Sequence, residues 1–439
     1  MILDRELVEL PLFHDAEKRL PLVQEPSLGP LVVSGSNDEA PVYRWFRFKE
    51  GFSADLLSNV VHRLEGDLGR DLRLLDPFCG AGTTLVSAQQ LSREGFHITA
   101  TGIERNPFIA FVARTKTRWP EIRGGTLIKE GERALQASKC LSPALPALSS
   151  IREGRCISKH NAKRLIAVRD CIPLGCTNSD FLLLGLASAI GQLSRARKDG
   201  RALRLVKKPR KSVEAALLER WREMATDAEA VQRTQEPCNP ATVICGDGRQ
   251  PSLHGISESS VDLILTSPPY PNNIDYSEVY KLELWLLGFV DNASDFLSLR
   301  YSTLCSHPTH EKTSPLPADY ENELQVGSLR YTLGKLIERV EKFPGRWRAR
   351  LLTRYFADIW TSLGNYHRVL RKGGVAAIVV GNSLHGASGS PFLIPTDLIL
   401  ARIAECQNFT VERVSVARSL KRRLSGNHFL RESLVLLKK

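Results

Sequence analysis

The chain has 439 residues, enough for one large domain or for two. Its formal net charge of +12 suits a polyanionic partner, with nucleic acid first and a ribosomal or membrane surface as alternatives. The acidic residues in MILDRELVELPLF fit neither a signal nor a transit peptide, and the apolar run FLLLGLASAI is too short to span a bilayer, so a cytoplasmic protein with no membrane part is expected.

Residues 1–42 are rich in Pro, Gly and Ser around LGPLVVSGSNDEAP and predict an N-terminal arm or flap. YRWFRFKEGFSADLLSNVVHRL (43–64) then alternates aromatic and basic residues before turning helical, with Ser53 as a plausible N-cap. LRLLDPFCGAGTT (72–84) is an apolar strand that runs into a glycine turn. Gly80 and Gly82 allow close ligand approach, and TTLVSAQQL opens a helix whose first N–H groups face that turn. Cys79 in this turn reads as a small space-filling side chain. About twenty residues on, ITATGIERNP predicts a second strand ending in Glu104, where an acidic side chain accepts ribose hydroxyls. A nicotinamide dehydrogenase would share the pattern, but Leu85 stands where its fingerprint needs Gly or Ala.

Residues 120–240 form an insertion. SDFLLLGLASAIGQL predicts an apolar helix, and the basic run after it offers Arg195, Arg197, Lys198, Lys207, Lys208 and Arg210 as phosphate contacts, or else a solvated face. Cys156, His160, Cys171 and Cys176 match no standard zinc spacing, and the odd total of nine cysteines reads as reduced thiols, so no metal is expected. The strand in ATVICGDGR leads to Asp247. VDLILTSPPY follows as a buried strand that Pro268 and Pro269 force out of the sheet, leaving Tyr270 on a stiff backbone at the site entrance. Asn272, Asn273 and Asp275 read either as base contacts or as ordinary turn residues. A second insertion, 290–350, carries no readable chemistry. The rest, 351–439, reads as a helix stopped at RKGG, a buried strand VAAIVVGNS, a helix starting near Pro395 or Thr396, and two last strands joined by a basic connection.

DPFCGAGTT, an acidic second strand end and TSPPY together resemble the S-adenosylmethionine-dependent amino-methyltransferases of DNA. The resemblance covers roughly half of the chain. It implies a seven-stranded, mostly parallel, Rossmann-like α/β methyltransferase sheet, split into 43–119, 241–289 and 351–439 by helical insertions. It also implies that Asp76, Pro77, Phe78, Gly80, Gly82, Glu104 and Asp247 hold the methyl donor, with weaker matches at Lys49 and Phe52. Ser267, Pro268, Pro269 and Tyr270 would then hold a flipped base, and insertion 120–240 would help recognise double-stranded DNA. Methyl transfer to an amine needs no covalent intermediate. A cytosine-C5 enzyme would need a cysteine at the end of its fourth strand, whereas Pro237-Cys238 precedes the third. The serine in TSPPY favours cytosine N4; adenine N6 and an RNA base amine stand as alternatives, and a cognate restriction enzyme is a candidate partner.

Overall fold

A computed structural model describes residues 11–198, 203–206, 211–233, 238–271, 274–307, 315–342, 347–385, 392–420 and 429–439. Among the described residues the strands are β1 (Leu22–Gln24), β2 (Asp71–Asp76), β3 (His97–Glu104), β4 (Ala196–Lys198), β5 (Leu203–Leu205), β6 (Ala241–Cys245), β7 (Val261–Thr266), β8 (Leu370–Gly381), β9 (Ser383–His385), β10 (Phe392–Ile394), β11 (Thr410–Ser419) and β12 (Arg431–Lys438). Eight of them make one sheet in the order β1-β11-β12-β8-β7-β2-β3-β6, while β4–β5 and β9–β10 are separate antiparallel ribbons. Within the sheet only β12 runs antiparallel to its neighbours, β11 and β8. This is a Rossmann-like α/β fold.

Every residue of β7 is buried, as expected of a parallel strand covered on both faces. Its side chains alternate. Leu263 and Leu265 pack with helices Asp55–Leu68 and Thr83–Gln90, and Ile264 packs on the opposite face with helices Trp347–Val369 and Thr396–Cys406. The first insertion packs around Trp221 with helices Gly124–Ala137, Lys159–Asp170, Ser179–Leu193 and Val213–Gln232, in a core it shares with helix Pro107–Thr117 and residues 279–290 of the sheet domain. It docks on the sheet domain through the 43–46 segment, where Trp45 Nε1 donates to Asp227 (3.0 Å). Among the described residues no helix is long and apolar enough to cross a membrane.

Four expectations need correction. The described part of the N-terminal arm is built into the fold: β1 pairs in parallel with β11 and adds an eighth strand to the expected seven. RKGG does not stand outside the fifth large strand, because Gly373 N–H donates to the Lys439 carbonyl (2.8 Å) and β8 already starts at Leu370. The first insertion is not purely helical, since its basic run carries the β4–β5 ribbon. Ser53 is not the N-cap expected of it: the cap position is Ala54, which makes no side-chain cap bond, while Ser53 Oγ, one residue earlier, accepts from Asp55 N (3.2 Å).

The end of the sheet opposite its β6 edge is fastened by a buried cluster. Asp397, wholly inaccessible, accepts from Asn382 Nδ2 (2.8 Å), Arg431 Nε (2.7 Å) and Ser433 Oγ (2.9 Å), tying the end of β8 and the start of helix Thr396–Cys406 to β12. Asp397→Ala removes one of the two carboxylates, Asp397 and Glu17, that balance the buried Arg431 charge, and strips Asn382 and Ser433 of their acceptor. It should lower the unfolding free energy by about 3–5 kcal/mol, read as a fall in the urea midpoint at unchanged m-value.

Candidate active site

The sheet order creates a break in chain direction. From β2 the chain steps outward to β3 and β6, then returns to the other side of β2 as β7 and continues to β8. Ligands of open α/β sheets bind at the carboxyl ends of strands at such a switch point. Asp76 at the end of β2 and Thr266 at the end of β7 meet there, with Thr266 Oγ1 donating to Asp76 Oδ1 (2.9 Å). Thr84 Oγ1 donates to the other oxygen (2.5 Å), and Phe78 N–H also donates to the carboxylate (3.2 Å). Burial outweighs these three donors and pushes the Asp76 carboxyl up to about 6.

The glycine turn is as tight as its sequence implies. Gly80 has φ +51° and Gly82 φ +83°, and a Cβ on Gly80 would lie 2.8 Å from the Phe48 ring. Glu104, half-buried at the end of β3, spans this turn and the next helix by accepting from Gly80 N–H (3.1 Å) and Asn106 N–H (2.8 Å). Burial pushes its carboxyl up to about 7, against the lowering effect of those donors. Asn106 in turn caps helix Pro107–Thr117 by accepting from Phe108 N and Ile109 N.

Asp247 lies in the turn two residues past the end of β6, not at the strand end itself. Arg249 grips it with two guanidinium nitrogens (Nε–Oδ1 2.9 Å, Nη2–Oδ2 2.6 Å) and also reaches Asp358 on helix Trp347–Val369. In TSPPY, Pro268 is buried and Ser267, Pro269 and Tyr270 are half-buried. Ser267 Oγ donates to the Tyr270 hydroxyl (3.2 Å), which donates to Glu432 Oε1 on β12 (3.0 Å). Gly381 makes room for the ring, since a Cβ there would sit 2.8 Å from Tyr270 Cε2.

A single pocket is lined by Phe52, Asp76, Phe78, Gly80, Glu104, Asp247, Ser267 and Pro269. Residues from two of the three sheet segments, 43–119 and 241–289, separated by up to about two hundred positions in the sequence, thus share one cavity. Pro77, Gly82, Pro268 and Tyr270 do not line it, and Lys49 lines a neighbouring cavity beside Arg220 and Glu283. Asp275 is a buried cap, accepting from Ser277 N and Glu278 N and pairing with Arg300 (2.8 Å), so it is a turn residue and no base contact. Lys198 is turned inward, with its ammonium on Glu283 (2.7 Å) and over the Tyr280 ring (3.9 Å), so it is not offered to phosphate. Arg195 is exposed beside β4. The Arg197 side chain, together with Lys207, Lys208, Arg210, Asn272 and Asn273, lies outside the described residues. Cys156 is buried while His160 and Cys176 are exposed, and among the described residues no three potential ligand side chains converge on a metal position.

Several contributors carry no motif. The segment 299–306 of the second insertion forms one wall of the pocket through Leu299, Ser302, Thr303, Leu304 and Ser306. It is held by Arg105 Nε donating to Ser302 Oγ (2.7 Å), Ser306 Oγ donating to the Ile274 carbonyl (3.2 Å) and Cys305 N–H donating to Asp358 (2.8 Å). Opposite it, Phe48 stacks on Tyr280 (5.7 Å between centroids, 10° between planes), and Tyr280 donates to Glu50 (2.8 Å). Lys116, buried, pins this side by donating to the carbonyls of Tyr43 (2.7 Å) and Phe46 (2.9 Å), and its burial lowers its pKa to about 7. The one signal that could have pointed to this wall is the aromatic and basic alternation of YRWFRFKEGF.

No known family model matches the chain. It is 24% identical over 424 aligned positions to a protein named type II methyltransferase M.AvaI from Nostoc sp., covering 89% of this chain and 84% of that one. It is 25% identical over 464 positions to the type II methyltransferase M.BsoBI of Geobacillus stearothermophilus, covering 93% and 88%. Among solved structures, the rRNA methyltransferase aviRa of Streptomyces viridochromogenes aligns at 14% identity and TM-score 0.31 over 92% of this chain and 93% of that one, a likeness too slight to add to the sheet order itself. Along most of its length, then, the chain is similar to proteins named type II methyltransferases.

Proposed function

We propose that this chain is an S-adenosylmethionine-dependent DNA methyltransferase that methylates the exocyclic amino nitrogen of an extruded base, cytosine N4 in preference to adenine N6. The observation that carries the reading is one pocket lined together by Gly80, Glu104, Asp247 and Ser267, each at or just past a strand end and each the residue type a different part of the reaction needs. Similarity to type II methyltransferases along most of the chain supports it, and a partner restriction enzyme of the same specificity belongs to the same proposal.

The residues present fit the donor. Glu104 offers a carboxylate to ribose hydroxyls, the turn at Gly80 lets backbone approach closely, and Phe52 and Phe78 provide apolar contact. Asp247, held by Arg249 and lining the same pocket, is the carboxylate placed to meet the adenine amine of the donor. Bound there, S-adenosylmethionine supplies an electrophilic sulfonium methyl. The chain's own task is to orient a poor nucleophile, an amine whose lone pair is delocalised into its ring. In this scheme Ser267 Oγ and the Pro268 carbonyl accept the two amine hydrogens and so aim the lone pair, and Tyr270 stacks on the base by the side turned away from Gly381. Alignment of amine and methyl can supply roughly 7–11 kcal/mol of barrier lowering in favourable cases. The basic run of the first insertion, with Arg195 as its described exposed member, holds the phosphates.

Purified protein incubated with labelled donor and either DNA or total RNA should yield N4-methylcytosine in the DNA digest by mass spectrometry. N6-methyladenine alone would replace the base, and label confined to RNA would replace the substrate class. Neutralising Arg195, Arg197, Lys207 and Lys208 together should weaken DNA binding across all sequences. It should also reduce the slope of log K against log salt by roughly 3–4 if all four touch phosphate, with donor affinity unchanged.

Glu104 adds a pH signature. Its folded carboxyl sits near 7 against an ordinary 4.5, so the free protein holds this proton where the unfolded chain has released it. The resulting stability is complete below about 4.5 and is lost as pH rises through about 7. Donor hydroxyls need the charged carboxylate, so donor affinity should weaken as pH falls below about 7. Glu104→Gln should bind the donor weakly with no such pH dependence, by calorimetry, and should flatten the decline of stability between those two pH values.

A further inference from the structure

The pocket's serine is the first member of a hydrogen-bonded chain that leaves the pocket. Ser267 Oγ gives its hydrogen to the Tyr270 hydroxyl (3.2 Å), and Tyr270 gives its own to Glu432 Oε1 (3.0 Å). Arg418 holds the other carboxylate oxygen, with Nε and Nη2 each 2.8 Å from Oε2. Glu432 is buried at 8% side-chain exposure, while the Arg418 side chain is 41% exposed, so the chain runs from the pocket across β12 to a guanidinium on β11 that reaches water. The polarity of the chain is fixed at its far end: an ionised carboxylate only accepts, so Tyr270 must donate to it, and Ser267 must then donate to Tyr270. Burial and the neighbouring Glu432 charge raise the tyrosine's pKa well above its ordinary value, which keeps its proton in place as a donor.

We infer that Glu432 and Tyr270 are positioning residues that hold the Ser267 hydroxyl as an acceptor toward the substrate amine and carry the amine proton away from it. This rests on the methyl-transfer reading above. With its hydrogen committed to Tyr270, Ser267 Oγ presents only lone pairs to the pocket, the polarity an attacking amine requires. As the nitrogen lone pair forms the N–CH3 bond, the S–CH3 electrons stay on sulfur and the nitrogen becomes cationic and strongly acidic. Its proton passes to Ser267 Oγ, the serine proton to Tyr270 and the tyrosine proton to Glu432, which ends as a neutral acid beside Arg418 and releases the proton to solvent. Charge and atoms balance with no further reactant. Tyr270, absent from the pocket lining, acquires through this chain a role that base stacking alone does not give its hydroxyl.

Substitution with an amide reverses the chain. In Glu432→Gln the Arg418 guanidinium attracts the amide oxygen, so the NH2 group faces Tyr270; Tyr270 must then donate to Ser267, whose hydrogen is turned toward the amine. The test is single-turnover methyl transfer to DNA under saturating donor, with donor affinity measured separately for each variant. Glu432→Gln should slow the chemical step by roughly tenfold or more, the equivalent of one hydrogen bond in the transition state, with donor affinity unchanged. Tyr270→Phe keeps the ring and cuts the chain, so it should slow the step comparably, and adding Glu432→Gln to it should cost nothing further. Glu432→Asp, which preserves an acceptor, should recover part of the rate. A folded Glu432→Gln protein with wild-type rate overturns the relay, as do losses that multiply in the double variant. If the wild type transfers methyl to no nucleic-acid amine, the relay falls together with the reaction; if the wild type is active, only the relay is at stake.

Discussion

Two threonine hydroxyls from opposite sides of a break in the sheet meet on one buried carboxylate, and the geometry of the site follows from that meeting. Asp76 ends β2; Thr84 belongs to the helix after the glycine turn, and Thr266 is the last residue of β7, directly before Ser267. Desolvating a carboxylate is costly unless its lone pairs are filled, so the arrangement is favourable only when both threonines arrive together. The distance between the glycine turn and the serine is thereby set by side-chain hydrogen bonds rather than by the softer packing of two loops.

On this floor the rest of the chain builds walls. The 43–52 segment leans an aromatic pair over one side, pinned by Lys116, and the 299–306 segment closes another. Arg249 joins these parts: it clamps Asp247 in the turn after β6 and reaches Asp358, whose other oxygen receives the Cys305 N–H. A displacement of the second insertion is therefore felt at Asp247 through two side chains.

The parts that were legible in the sequence are those whose conformation is dictated locally. Gly80 and Gly82 need backbone angles few other residues adopt, Pro268 and Pro269 forbid a strand from continuing, and the runs around Leu263 and Ile378 are apolar because both faces are covered. What escaped depends on partners far along the chain. Ser302 meets Arg105 across 197 residues, and nothing in either neighbourhood announces it. Lys198 sits in a basic run that looks solvated, yet Glu283, 85 residues on, draws it inward. Tyr270 was legible as an aromatic group on a rigid turn, while the acceptor for its hydroxyl comes from a strand 162 residues later. The correct residue types were recognised, but whether each faces the pocket or a neighbour is decided by tertiary contacts that periodicity does not encode.

The three residues of β1 deserve a different kind of reading from the rest of the N-terminal arm. They pair Leu22, Val23 and Gln24 with Val414, Ser415 and Val416 on the outermost long strand of the sheet. Without them the buried stretch of that strand between its two register irregularities would present unsatisfied N–H and C=O groups, an opening for a strand from another molecule. The arm is thus a built-in guard against edge-to-edge polymerisation, supplied by the same chain it protects. Shortened versions that begin at the glycine-loop domain would keep every pocket residue from Phe48 onward and yet expose a self-adhesive edge.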